Sequence, residues 1–222
     1  MSEWWTYALT DFLLFSPRTY YRLFQLYNES VWPLAHVAAF ASAIAICLLL
    51  WRGTEQATRA ILGLLAAIWF WIAWAFHLER YATINWAAVY VAAAFALQAL
   101  LLLWFAFATR PPVLKIERTS LSRFVLALVV FAIVAQPLIG VALGRGWRQA
   151  EVFGLAPDPT AIATLGLLCL ATRIPWILLP IPLLWCAATG LTLWTMEAPD
   201  APVAPIAGAL ALGVAAWKTV RR

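Results

Sequence analysis

The sequence predicts an all-α fold: a polytopic transmembrane helix bundle of about seven spans, N-terminus outside, preceded by an N-terminal interfacial amphipathic helix. Three observations carry that expectation. Of 222 residues, 65% are hydrophobic and only 11% charged, whereas a water-soluble domain is about half apolar and about a quarter charged. Mean hydropathy is +0.86, so the apolar side chains exceed what one water-facing core can hide, and a bilayer must serve as their second solvent. Fourteen tryptophans suit the two membrane faces, where indole rings favour the headgroup level.

The elements follow in chain order. The opening MSEWWTYALTDF lacks the basic start and short apolar core of a cleaved signal peptide, so the first span is expected to act as an uncleaved insertion signal. In residues 16–30, SPRTYYRLFQLYNES, Ser16 can cap a helix and Pro17 suits its first turn. Arg18, Arg22, Gln25 and Glu29 form one polar stripe, with Tyr20, Leu23, Phe24 and Tyr27 opposite. This pattern fits a helix lying flat on the outer bilayer surface, with a docking helix as the alternative. Residues 1–30 are therefore an interfacial segment and 31–222 one transmembrane domain, without linker, low-complexity tract or internal repeat.

A span needs roughly 20 apolar residues to cross about 30 Å of hydrocarbon. Spans are expected at 31–51, 60–77, 84–108, 122–143, 159–172, 174–195 and 202–218. The fifth is short enough to be re-entrant instead, and charge arbitrates. With seven crossings the fifteen Lys and Arg residues split ten against five, the ten on the side of the C-terminus; with a re-entrant fifth segment Arg173 and the tail change sides and the split becomes six against nine. The positive-inside rule then favours seven crossings with the C-terminus in the cytoplasm. Pro180 and Pro182 are expected to kink the sixth span. Gln98 and Gln136 should bond across helices, and Ala207, Ala211 and Ala215 form a small-residue face for close contact.

The chemistry is sparse. There is no GxSxG, HExxH, P-loop or dinucleotide-type glycine fingerprint, and no enzyme is expected. Cys47, Cys169 and Cys186 form no CxxC pair and read as apolar packing residues. No basic run interleaved with aromatics points to nucleic acid. No Asp or Glu lies deep in a span, which argues against a carboxylate-based pump.

What remains is WAFHLERYATINW, residues 74–86, between two apolar stretches. Its His77, Glu79, Arg80 and Asn85, with His36 one turn inside the first span, are the candidate ligand-binding residues. Asp11, Glu151, Asp158, Glu197 and Asp200 come from neighbouring outer segments. Three readings stand: a tight interfacial turn with Arg80 paired to a carboxylate and Tyr81 and Trp86 in the aromatic belt; the mouth of a small-molecule path; or a metal or haem b held by His36 and His77. No cofactor is the primary expectation, because two histidines without a third ligand are weak evidence for a metal.

The stretches MSEWWTYALTDFLLFSPRTYYRLFQLYN, WAFHLERYATINWAA and EVFGLAPDPTAIATLGLL resemble a bacterial family of multi-pass proteins catalogued as domain of unknown function 6064. The family has no established activity and no assigned catalytic residues; some members carry permease-like labels. The resemblance implies a protein of the bacterial inner membrane. The functional expectation is binding or transport of a small solute or lipid. The alternative is a non-catalytic accessory subunit, with a membrane-protein partner or a second copy of itself beside it in the bilayer.

Overall fold

The computed structural model describes residues 15–107 and 110–221; Asp11 and the opening MSEWWTYALTDF lie outside them. The first helix, α1 (Pro17–Val31), begins where its cap signals it: Ser16 Oγ accepts from Thr19 N at 3.2 Å. Tyr20, Leu23, Phe24 and Tyr27 are buried as the stripe requires. What they cover is protein. Phe24 packs on Phe76 and Tyr20 on Tyr81, and Tyr27 Oη accepts from Trp71 Nε1 at 2.9 Å. The amphipathic helix is thus docked across one end of the bundle.

The bundle follows as α2 (Leu34–Arg52), α3 (Glu55–Trp71), α4 (Ala88–Phe107), α5 (Ser120–Val130), α6 (Gln136–Ala142), α7 (Pro157–Cys169), α8 (Pro180–Thr195) and α9 (Val203–Val220). A π-helical stretch, Ile72–Leu78, prolongs α3, and a second, Phe131–Ala135, joins α5 to α6. The second has a plain cause: Pro137 lacks an N–H and its ring crowds the preceding turn, and a π-bulge absorbs both effects. The first widens the buried face, so that consecutive Ala75, Phe76 and His77 all point inward. Among the described residues, six helices are long and apolar enough to cross a membrane. Their outer faces expose Phe40, Leu48, Trp51, Leu100, Leu184 and Trp194, an apolar surface no water-soluble monomer of this size carries.

The short fifth segment resolves as α7, whose thirteen residues are all buried. At roughly 1.5 Å per residue it rises about 20 Å, short of a bilayer's hydrocarbon, and the bundle accommodates this by enclosing it. Its two ends lie at opposite ends of the bundle. Asp158 lies beside Arg145 and Asp200, whereas Ala171, just past its C-terminus, pairs with Leu114. A re-entrant loop would return both ends to one side. Lys218 Nζ donates to Cys169 O at 2.9 Å and Ala171 O at 2.8 Å, satisfying carbonyls that a buried helix end leaves open. Extended backbone supplies the missing length: Thr172 N donates to Val113 O and Lys115 N to Leu170 O.

Two expectations change. Pro180 and Pro182 start α8 rather than kink it, because first-turn N–H groups have no intrahelical acceptor to lose. Gln98 does bond across, its Nε2 donating to Leu178 O at 3.1 Å, whereas Gln136 Oε1 is buried without a hydrogen-bond partner. The α9 alanines are buried as a close-packed face. Against that helix, Gly190 of α8 meets Pro205 and Gly208 meets Cys186 of α8.

Candidate functional site

The residues nominated from the sequence separate. His77, at the end of the π stretch, is 0% exposed. Phe95, Trp185, Phe76 and Tyr81 ring it, with centroids at 4.4, 5.1, 5.2 and 6.0 Å, and neither imidazole nitrogen has a hydrogen-bond partner. Edge-to-face rings at these distances are aromatic packing. Tyr81 is buried beneath α1 rather than set in an aromatic belt. Glu79 is exposed and Arg80 partly buried; among the described residues Arg80 joins no ion pair within 4 Å. Asn85 lies in the turn ahead of α4, its Oδ1 accepting from Ala87 N at 3.0 Å. His36 stands apart on α2, its ring edge-on to Trp32 at 5.1 Å, with Nδ1 buried and unpartnered.

Two cavities gather the remaining polar groups. The first is a chamber of about 20 Å³ where the α6–α7 and α8–α9 connections meet. Gln136, Arg145, Gln149, Glu151, Asp158 and Asp200 line it. Arg145 forms an ion pair with Asp200 and lies over the Tyr21 ring, 4.4 Å from its centroid. Gly140 makes room for that guanidinium: a Cβ there would lie 2.8 Å from Arg145 Nε. Asp158, 4% exposed, accepts from Trp185 Nε1 at 2.7 Å and from Thr189 Oγ1 at 3.0 Å. The same Trp185 touches His77, so indole packing links the histidine to the carboxylates. Desolvation drives the Glu151 carboxyl well above the usual carboxylate range; Asp158 and Asp200 push the same way and Arg145 opposes them.

The second cavity is an open crevice of about 550 Å³ between α2 and α6. Trp32 and His36 form one wall and Pro137 the other; Trp147, Ala150 and Val152 close it from the connection. Asn28, Glu29 and Arg148 complete its lining. Arg148 pairs with Glu29 at 3.0 Å while its side chain stays 75% exposed.

Chamber and crevice share a wall. Along residues 148–152, Gln149 and Glu151 face the chamber, while Arg148, Ala150 and Val152 face the crevice. The wall begins in a 3-10 turn, Trp147–Gln149, and leaves it at Ala150. Asn28 fixes this wall to α1, its Nδ2 donating to Arg148 O at 2.9 Å and Ala150 O at 3.0 Å. The sequence already set Glu151, Asp158 and Asp200 among the outer acids. It did not reveal that Gln136 and Arg145 join them, because that depends on how α6 and α9 pack. Among the described residues, no group of three or more His, Cys, Asp or Glu side chains is placed to hold a metal ion.

Fold and cavities together define a multi-pass helical membrane protein with a polar chamber and an apolar crevice at one end. Residues 18–222 match the profile of a family described as "Family of unknown function (DUF6064)", and the chain belongs to that family. No curated protein and no solved structure matches it.

Proposed function

We propose that this protein is a lipid-binding protein of the bacterial inner membrane, and that the α2–α6 crevice holds one phospholipid. The crevice itself carries the reading. Its walls are apolar, and its lining includes a charge pair, Arg148 and Glu29, with Asn28 beside it. That arrangement suits a zwitterionic headgroup, phosphate against the guanidinium and ammonium against the carboxylate. Acyl chains then lie between Trp32 and Pro137. His36 Nδ1, unpartnered at the wall, offers a further polar contact. In the positive-inside orientation the crevice opens to the outer leaflet, and a permease-like role in moving such a molecule is the broader form of this proposal. The accessory-subunit reading has less support than the sequence offered it, because the alanine face of α9 is used inside the bundle.

Native mass spectrometry of the gently extracted protein tests this. Wild type is expected to retain one phospholipid. Val152→Trp, which fills the crevice from its closed side, should lower retention at least roughly tenfold, the loss that about 1.4 kcal/mol of binding free energy produces. Equal retention by the variant refutes the crevice as the site.

A further inference from the structure

The chamber has more acceptors than donors. Three carboxylates face one guanidinium, itself already committed to Asp200. Asp200 Oδ1 and Gln136 Oε1 are buried with no hydrogen-bond partner, and Gln136 is only 8% exposed. Buried acceptors without partners are costly, and carboxylates crowded in a desolvated site do not all stay ionised. Such a lining calls for mobile hydrogens rather than further anions. A chamber of about 20 Å³ admits one water molecule, whose minimum need is about 10–15 Å³ and two to four polar partners.

We propose that this chamber is a proton-binding site, in which Glu151 holds a proton and one water molecule donates to Gln136 Oε1 and Asp200 Oδ1. Glu151 is the member suited to exchange with solvent, because it is partly buried whereas Asp158 is enclosed and accepts two hydrogen bonds. Every charged or titratable group facing it is accounted for by element. Asp158 comes from α7, Asp200 from the α8–α9 connection, Arg145 from the α6–α7 connection, and Tyr20 and Tyr21 from α1. The carboxylates oppose ionisation of Glu151; Arg145 alone favours it. No step beyond binding is required: the proton comes from water and returns to it.

This site is independent of the lipid reading, and its test needs no lipid ligand. The full chain is titrated in nanodiscs by difference infrared spectroscopy, following the C=O stretch of protonated carboxyls. Wild type should keep a protonated-carboxyl band at pH values above the ordinary carboxylate range, lost in one step as pH rises further. Glu151→Gln should abolish that band, and Glu117→Gln, an exposed control at the opposite end, should leave it. Glu151→Asp, which keeps the titrating group, should shift its midpoint and so decides the matter if the glutamine variant does not fold. No such band in wild type, a band that survives Glu151→Gln, or an unmoved midpoint in Glu151→Asp overturns the proposal. A midpoint that moves when sodium replaces choline overturns it in favour of a cation site.

Discussion

A histidine with no hydrogen-bond partner inside a membrane protein invites a functional reading, and at His77 the surroundings decide against a polar one. Four aromatic rings enclose it and both nitrogens are unpaired. An apolar ring of similar shape should therefore serve as well, since replacing an unsatisfied polar group by an isosteric apolar one is nearly neutral or stabilising. His77→Phe is expected to keep wild-type thermal stability and lipid retention, whereas His77→Ala should cost roughly 3 kcal/mol through the cavity it leaves. Thermal unfolding in detergent checks both, and a His77→Phe variant that folds but loses its lipid would restore this histidine as a ligand contact. Asp158 and Glu151 show the opposite behaviour. Both sit in polar company, and their chemistry comes from neighbours on other elements, Trp185 and Thr189 on α8 and Asp200 on the α8–α9 connection.

At the scale of elements, two solutions to short helices recur. The π stretch before Pro137 keeps α5 and α6 continuous where a proline would otherwise break them. The burial of α7 on all sides lets a thirteen-residue helix connect the two ends of the bundle, since helix length must match the bilayer only where it faces lipid. The α8–α9 pair depends on close approach. A Cβ on Gly190 would lie 2.1 Å from Pro205 Cγ, and the proline ring has no rotamer with which to withdraw. Gly190→Ala should thus destabilise by about 1–3 kcal/mol, the range for overpacking a close contact. Gly213→Ala, with open space around it, should be neutral or slightly stabilising through helix propensity. Unfolding of the two variants in the same detergent gives the comparison, and equal destabilisation would contradict the α8–α9 packing.

For the whole molecule, the alternation of ends places the connections at 53–54, 110–119 and 170–179 and the end of α9 together, opposite α1 and the connections at 79–87, 143–156 and 196–202. The positive-inside rule, applied to the Lys and Arg residues, predicts that the first group is cytoplasmic. Single cysteines at Lys115 and at Ser30, in a chain lacking Cys47, Cys169 and Cys186, should react with an impermeant maleimide from opposite faces of the membrane. Labelling from the outside at position 115 and not at position 30 would invert the orientation and move the crevice to the inner leaflet.

The sequence alone determined the membrane class, the long spans, the capped and striped α1, the membership of a multi-pass family and the sidedness argument, because each depends on local composition and period. Hydropathy over some twenty residues needs no tertiary partner to be meaningful, and Ser16–Pro17 needs only its own helix. Tertiary structure decided the rest. It set α1 on protein instead of lipid, wrapped α7, moved Tyr81 inward and made Pro180 and Pro182 a helix start. It also split His36 from His77 and drew Gln136, Arg145, Glu151, Asp158 and Asp200 into one chamber. Those outcomes rest on which helix faces which, and no residue's own chemistry specifies its neighbour across a bundle. The wall at 148–152 makes the point most plainly: five consecutive residues line both cavities, but only the packing of the helices around them makes one side a polar chamber and the other an apolar crevice.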